Sequence, residues 1–555
     1  MLFKKRLTNL VTLAVLFLAV TSCTTNLEPV VNTVRINSVG YTPDGNKVAT
    51  ILAPECETVN VRNVDNKSVA FEATVAGPFS LPDTNITFWT ADFSGLTEPG
   101  IYSVEVPGHG RSIDFEIGSG VYNAPYYSSM RAMYLWRCGT EVFGVHDGDT
   151  FQHAACHLDD GYLDYTEFGT EHKDGTGGWH DAGDYGKYIV NAGITMGNLF
   201  YAWDHFGDKL ETITLDIPET APEMPDFLEE LKWETDWFLK MQYPDNSGRI
   251  SHKLTRLNFS GFIMPEQDTA KRYFTEWGSN ATAHFTAVMA MAARYFEPYN
   301  AEYAQTCLDA AKNSYDFLIA NPEYKRWQQR EFSTGGYQAR DEGTRLWAAA
   351  ELWETTGEEK YLKDFEEKAA AFEEKIDLNW DWGNVKNMGM FTYLQSEREG
   401  KDEALYNEIK TALIDVADTI ATNTQNDVFG RPFDQYYWGV NGTVARLSIT
   451  LNVANNIEPS EDYVNAAHNI IAHLFGRNYY NRSYVTGIGI DPPMYPHSRR
   501  SGADEVEAPW PGYLVGGGHT PTDWVDVEAS YSHNEIAINW QAPLVYVLAW
   551  LAENE

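Results

Sequence analysis

The sequence predicts a mainly α protein: helical hairpins closed into an (α/α)6 barrel, preceded by a small β-sandwich. Three observations predict it. Short runs of alternating apolar and polar residues fill positions 33–118, and helical periodicity sets in near Asn123 and continues to the carboxyl end. Roughly twelve helical patterns follow, joined by alternately short and long connections, with no fixed-period repeat to suggest a solenoid. The length, 555 residues, exceeds a usual single domain and suits one large unit with a smaller one.

Lys4, Lys5 and Arg6 precede an apolar run from Leu7 to Val20, and Thr21, Ser22 and Cys23 follow it. A basic start, a short apolar stretch and small residues at a cleavage point read as an export signal over 1–22, too short to span a membrane as an ordinary helix. Cys23 directly after VTS resembles the bacterial lipoprotein processing site, with plain secretion as the alternative. Residues 23–32 then read as a lipidated cysteine and polar tether, holding the protein on a bacterial, outer membrane at its periplasmic side or the cell surface.

The runs TVRINSVGY, KVATILA, TVNVRNV, FEATVAG, TFWTADFS, GIYSVEV and SIDFEIG, separated by Pro, Gly, Asn and Asp, predict seven or so strands and a sandwich over 33–118. Helices are expected near 123–138, 184–206, 223–242, 279–296, 300–320, 342–357, 359–375, 385–399, 402–422, 438–455, 461–475 and 533–553, within a domain covering 119–555. A barrel of these hairpins places the long loops 139–183, 243–278, 321–341, 423–437 and 476–532 on one face, where function should lie.

Composition narrows the partner. A net charge of −38, more negative once Lys4, Lys5 and Arg6 leave with the signal, repels nucleic acid and other polyanions. A neutral substrate carries no such penalty. Seventeen Trp, 32 Tyr and 27 Phe supply more ring surface than a core obviously needs, so rings either line an open cleft or make a Trp-rich core.

The stretch GGWHDAGDYGKY sets Asp181 and Asp184 three residues apart among glycines, just before a helical pattern. Such a DxxD is often only a helix cap, but Gly177, Gly178, Gly183 and Gly186 allow close backbone approach, and Trp179, His180 and Tyr185 crowd the same turn. Some 350 residues later Glu535 follows Tyr531, His533 and Asn534 and opens IAINWQAPLVYVLAWL, a segment apolar nearly all round. A carboxyl at the mouth of so apolar a helix is open to the desolvation that a general acid requires. Asp526 could orient a hydroxyl or tune these neighbours. His497 and Arg499 lie two apart in a Pro-rich loop and can reach one ligand together, with Arg500 adjacent; a surface basic pair is the alternative.

GGWHDAGDYGKY, PMYPHSRRS, PWPGYLVGG and NEIAINWQAPL, in this order, resemble glycoside hydrolase family 9, the inverting cellulases and cellodextrinases. VRINSVGY and LTEPGIYSVEVPG resemble the amino-terminal immunoglobulin-like module of many members. The resemblance implies an (α/α)6 barrel cleaving β-1,4-glucans, with Asp184 as catalytic base, Asp181 holding the attacking water, Glu535 as general acid, His497 and Arg499 gripping glucose, and Asp526 in support. Ser498 departs from it, standing where many members have a second His. YYWGVNG also resembles a family loop, which makes Trp438 either a stacking platform or a core ring, and Tyr531 is a further candidate sugar contact. Inversion needs an acid on the leaving oxygen and a base on water at the opposite face, with no cofactor for the chemistry.

Of the remaining cysteines, Cys56 and Cys307 look isolated. Cys138, Cys156, His157 and His180 could complete a tetrahedral structural zinc site, with His153 a rival fourth ligand, or Cys138 and Cys156 could form a disulfide. The resemblance favours zinc and also implies calcium, without indicating its ligands. The expected function is an inverting endo-β-1,4-glucanase on soluble polymers or oligosaccharides, cellulose-like, mixed-linkage or xyloglucan, acting as a monomer. An exo-acting cellodextrinase or β-glucosidase is the runner-up. A non-catalytic glycan-binding lipoprotein is the alternative from another class.

Overall fold

The computed structural model describes residues 27–81, 84–219 and 224–552; the export signal and Cys23 lie outside them. The amino-terminal unit holds nine strands: β1 (Val34–Arg35), β2 (Val48–Leu52), β3 (Asn60–Asn63), β4 (Val69–Glu72), β5 (Thr74–Ser80), β6 (Thr87–Asp92), β7 (Gly100–Val106), β8 (Gly110–Arg111) and β9 (Phe115–Ile117). They pair antiparallel in two sheets, β1-β2-β6-β5 and β4-β3-β7-β8, with β9 on β7. Ile51 and Ala91 from one sheet and Val61 and Val104 from the other meet Tyr41, Phe93 and Phe115 in a single apolar core. From Glu28 on, the segment expected to be a free tether is laid along β8: Arg111 donates its backbone NH to the Pro29 carbonyl at 2.9 Å and accepts from Val31 at 2.8 Å.

The barrel comprises α1 (Asn123–Leu135), α2 (Ile189–Leu210), α3 (Asp226–Lys240), α4 (Ser279–Phe296), α5 (Ala301–Ala320), α6 (Glu342–Thr356), α7 (Glu359–Ala371), α8 (Lys386–Gln395), α9 (Glu403–Asn426), α10 (Val440–Ile457), α11 (Glu461–Leu474), the short α12 (Tyr531–Asn534) and α13 (Ile538–Leu551). Each of α2, α4, α6, α8, α10 and α13 packs on the next, and α13 packs back on α2, so six helices close an inner ring. Burial follows the same division. The inner α4 and α10 are buried on every side for most of their length. The outer α7 and α9 bury one stripe each, Tyr361, Leu362, Phe365 and Ala369 in α7 and Leu405, Ile409, Leu413 and Ala417 in α9. No helix among the described residues is long and apolar enough to cross a membrane.

Two expected helices begin elsewhere, and both differences bear on function. The pattern read from residue 184 starts as a helix only at Ile189, because Lys187–Tyr188 (β12) is drawn into a strand pair with Lys253–Thr255 (β13), itself paired with Tyr273–Phe274 (β14). The pattern read over 533–553 breaks at Glu535, which has extended φ/ψ of −71° and 156° between α12 and α13. Backbone pairing outweighs helical propensity at both points. The loop at 139–183 also carries a hairpin, β10 (Val142–His146) with β11 (Asp149–His153).

The sandwich is joined to the barrel by buried polar contacts. Arg477 donates from Nε to Thr50 Oγ1 at 3.1 Å, and Arg35 donates from Nη1 to the Asn478 carbonyl at 2.9 Å. Phe88 packs edge-on against Phe429 at 5.3 Å beside them.

Candidate active site

The glycine-rich stretch becomes a buried turn held from three sides. Its backbone pairs with the end of α1, His180 NH to the Trp136 carbonyl at 2.9 Å and Cys138 NH to the Gly178 carbonyl at 2.7 Å. From α3, Glu234 accepts the Trp179 backbone NH at 2.6 Å and Glu230 accepts its indole NH at 2.8 Å. Gly183 has no room for a side chain, since a Cβ there would sit 2.1 Å from the His497 carbonyl oxygen. This close approach brings the two ends of the chain together, and Asp184 precedes α2 by too far to be its cap.

Within the turn both oxygens of Asp181 are engaged, Oδ1 by Asn191 Nδ2 at 2.8 Å and Oδ2 by the Tyr337 hydroxyl at 2.6 Å. Asp184 is held through Oδ2 alone, by Gly186 NH at 2.9 Å and the Tyr188 hydroxyl at 3.3 Å. Its other oxygen is therefore the one left for a water. Burial, and then the neighbouring Asp184, push the Asp181 carboxyl well above the usual range.

Glu535 is held as a strand. Its residue pairs with His497, its carbonyl accepts Gly516 NH at 2.9 Å, and two residues on Ala537 pairs with Ala182 in the aspartate turn. Burial, then the charges of Asp184 and Asp181, raise its carboxyl well above the ordinary value, offset only in part by Arg499 and the Gly183 NH. A carboxyl so placed is shifted toward its protonated form.

Asp526 does not reach for a ligand. Its oxygens accept from Met494 NH and Tyr495 NH at 2.9 Å, Arg482 Nη2 at 2.8 Å and Asn534 Nδ2 at 3.0 Å. Burial would raise this carboxyl, but these donors outweigh it and hold it below its ordinary value. It ties the loop before His497 to the residue before Glu535, so it positions both.

His497 gives Nδ1–H to the Glu528 carbonyl at 2.7 Å, which leaves Nε2 of the neutral ring as an acceptor, and burial lowers its pKa in favour of that form. Arg499 donates from Nε to the Ser260 carbonyl at 3.1 Å and from Nη1 to the Gly183 carbonyl at 2.9 Å, keeping Nη2 without a bond among the described residues. Arg500 is structural, stacked 4.4 Å from Trp510 with Nη2 on the Tyr513 hydroxyl at 3.0 Å. Ser498 is 1% exposed and cannot replace a lost sugar contact. Trp438, at 49% exposure, is no core ring. It meets the exposed Tyr531 at 5.4 Å, Tyr531 meets His497 at 5.9 Å, and His497 meets Phe262 at 5.4 Å, forming a row of open rings beside Glu535.

Cys138, Cys156, His157 and His180 converge behind the turn, all buried, with one donor atom from each within 4.8 Å of the others. The separations are 3.3 Å for His180 Nε2 to His157 Nδ1, 3.5 Å for Cys138 Sγ to His157 Nδ1, and 3.8 Å for Cys156 Sγ to His180 Nε2. Bond lengths of about 2.3 Å to sulfur and 2.0 Å to nitrogen give tetrahedral edges of about 3.3–3.8 Å, so the set fits one four-coordinate metal ion. Behind it Asp268 lies 3.6 Å from His157 Nε2 and pairs with Arg256 at 2.5 Å. Both cysteines are free thiols rather than a disulfide, and His153 turns its Nδ1 to the Ala154 carbonyl, outside the set. No acidic cluster of three or more ligand groups accompanies it among the described residues.

Tyr188, Asn191, Tyr337 and Lys253 escaped sequence reasoning. Tyr337 sits in STGGYQAR with a φ of 42°, and only the paired glycines before it signal an unusual backbone.

A carboxyl shifted toward its protonated form by desolvation, set beside a hydrogen-bonded pair of carboxyls and a row of open rings, is suited to splitting acetals between sugars. The class so defined is a glycoside hydrolase on an (α/α)6 scaffold. The model for glycosyl hydrolase family 9 matches residues 122–548, and that for the cellulase N-terminal ig-like domain matches residues 30–111. The chain belongs to glycosyl hydrolase family 9. It is 54% identical over 519 residues to Endoglucanase D of Acetivibrio thermocellus, covering 93% of this chain and 83% of that one. A xyloglucan-specific endo-beta-1,4-glucanase of Bacteroides ovatus is 30% identical, with 94% of each chain covered. The crystal structure of a Zn-binding triple mutant of the family 9 endoglucanase J30 matches with a TM-score of 0.87 and 31% identity over 93% of this chain and all of that one.

Proposed function

We propose that this endo-β-1,4-glucanase works by inversion, with Glu535 protonating the departing glycosidic oxygen while Asp184 takes a proton from the attacking water. One observation carries the reading: desolvation and two neighbouring aspartates push the Glu535 carboxyl up, whereas Asp184 has one oxygen anchored and one open. Asp181, with both oxygens engaged by protein, aligns the turn beside the water. His497 and Arg499 offer an acceptor and a donor to one sugar, and Trp438 and Tyr531 give stacking surface. Asp526 acts through its neighbours. The residues needed for hydrolysis are present, so binding without cleavage is not the reading we adopt.

The test is product analysis on barley β-glucan, xyloglucan and carboxymethylcellulose. Release of α-anomeric reducing ends with a rapid fall in viscosity is expected. β-anomeric products would overturn inversion, and slow viscosity loss with a single short product would favour exo action.

We further propose that the cysteine–histidine cluster holds zinc, supported by its tetrahedral donor edges, and that this ion has a structural role. Metal analysis of the purified protein should find about one equivalent. The polar tether ahead of the sandwich and the VTSC sequence support export with a lipid on Cys23, at the periplasmic side or cell surface. Labelled palmitate should enter the full chain and fail to enter Cys23→Ala. A monomer is expected by light scattering.

A further inference from the structure

The mechanism above leaves the buried Lys253 unused. Lys253 lies on β13 directly opposite Tyr188 of β12, with its ammonium 5.6 Å from the Tyr188 ring. It donates to Thr334 Oγ1 at 2.9 Å and to the Gly335 carbonyl at 2.8 Å. Gly335 in turn donates its NH to the Tyr188 hydroxyl at 3.1 Å, and that hydroxyl donates to Asp184 at 3.3 Å. The next carbonyl, Gly336, is gripped by His252 Nε2 at 2.9 Å and Trp327 Nε1 at 3.0 Å, and one residue later Tyr337 reaches Asp181. Residues 334–337 thus form a bracket that delivers hydroxyl donors to both aspartates, and Lys253 fastens it from below.

A lysine is a costly way to fasten a bracket that a neutral donor could hold. The rings of Tyr188, Trp327 and Phe332 surround it. The titratable groups facing it are Asp184 and Tyr188 from the turn and β12, and His252 from its own strand. Burial lowers the ammonium to about 7, and the Asp184 carboxylate opposes that fall.

We propose that Lys253 is a positioning residue for the hydrolytic base: it sets the Tyr188 hydroxyl on Asp184 through Thr334 and Gly335. The proposal rests on the reading of Asp184 as base.

The experiment measures kcat and KM separately on barley β-glucan for Lys253→Met, beside Tyr188→Phe and an Asp184→Asn control, each checked for its thermal midpoint. Lys253→Met and Tyr188→Phe should each lower kcat roughly tenfold with KM within about twofold. A kcat in Lys253→Met that stays near the parent value, or a loss carried by KM with kcat unchanged, overturns the proposal. Near-normal turnover in Asp184→Asn instead removes the reading of the base. Should Lys253→Met be too unstable to purify, Thr334→Val keeps the lysine but removes one acceptor. It should lower kcat with KM held, and an unchanged kcat overturns the bracket.

Discussion

The aspartate turn and the glutamate strand carry the same functional group in opposite surroundings. Asp184 meets donors, the Tyr188 hydroxyl from β12 and the Gly186 NH from the turn, while Asp181, held by Asn191 from α2 and Tyr337 from a loop, is still pushed up by burial and by Asp184. Around Glu535 the main influences are loss of water and two negative neighbours, with Arg499 and one peptide NH in partial opposition. The difference teaches how one residue type can be both base and acid at one pH. Donors favour a carboxylate and desolvation favours a carboxylic acid, so environment assigns the roles.

Removing the base is the hardest test of this contrast. Asp184→Ala should lower kcat by about 10²–10⁴-fold with the fold intact, read from reducing-sugar release and circular dichroism. Glu535→Gln should cost a similar factor on β-glucan but far less on an aryl cellobioside with a good leaving group, which departs without a proton. Equal losses on the two substrates would mean that Glu535 is not the acid.

The contrast also extends behind the turn. Replacing Cys156 with Ser should lower metal content and the thermal midpoint by several degrees, because His180 immediately precedes Asp181 and Cys138 hydrogen-bonds to the same turn. On the glutamate side, Asp526→Asn should loosen Met494, Tyr495 and Arg482 together and reduce kcat roughly tenfold with the metal retained.

The smallest effect is on stability. A folded-state pKa raised at Glu535 means that its favourable contribution is fully present below the unfolded value of about 4.3 and is lost as pH rises through the folded one. Glu535→Gln should therefore melt higher than the parent at pH 7 and alike at pH 4, by calorimetry. A lower midpoint at pH 7 would show that the carboxylate form is the stabilised one.

Much of this was legible in the chain, for identifiable reasons. The ring of helices followed from apolar faces at helical spacing, and the last inner helix, α13, betrayed itself by being apolar nearly all round. Asp181, Asp184 and Glu535 were visible because glycines and rings crowd them where a solvated cap needs neither. What stayed hidden depends on contacts distant in sequence. Nothing local marks Lys253 as the partner of Thr334, or Tyr337 as that of Asp181, because each is one polar residue in an ordinary loop or strand. Asp526 was visible as a candidate but not its role, since four donors from three separate segments decide it. The start of α2 was misplaced because a two-residue strand pair, invisible to periodicity, claims Lys187 and Tyr188.

Gly183 has a consequence for the order of assembly. Its carbonyl takes two bonds from Arg499, at 3.0 Å from the backbone and 2.9 Å from the guanidinium, across a sequence separation of 316 residues. Such a contact is among the last a chain can make, since the loop it closes holds nearly the whole barrel. Catalytic competence should thus arrive late and at once, when α13 seats beside α2. In a refolding experiment, recovered turnover would report closure of the ring, while far-ultraviolet ellipticity would already have returned.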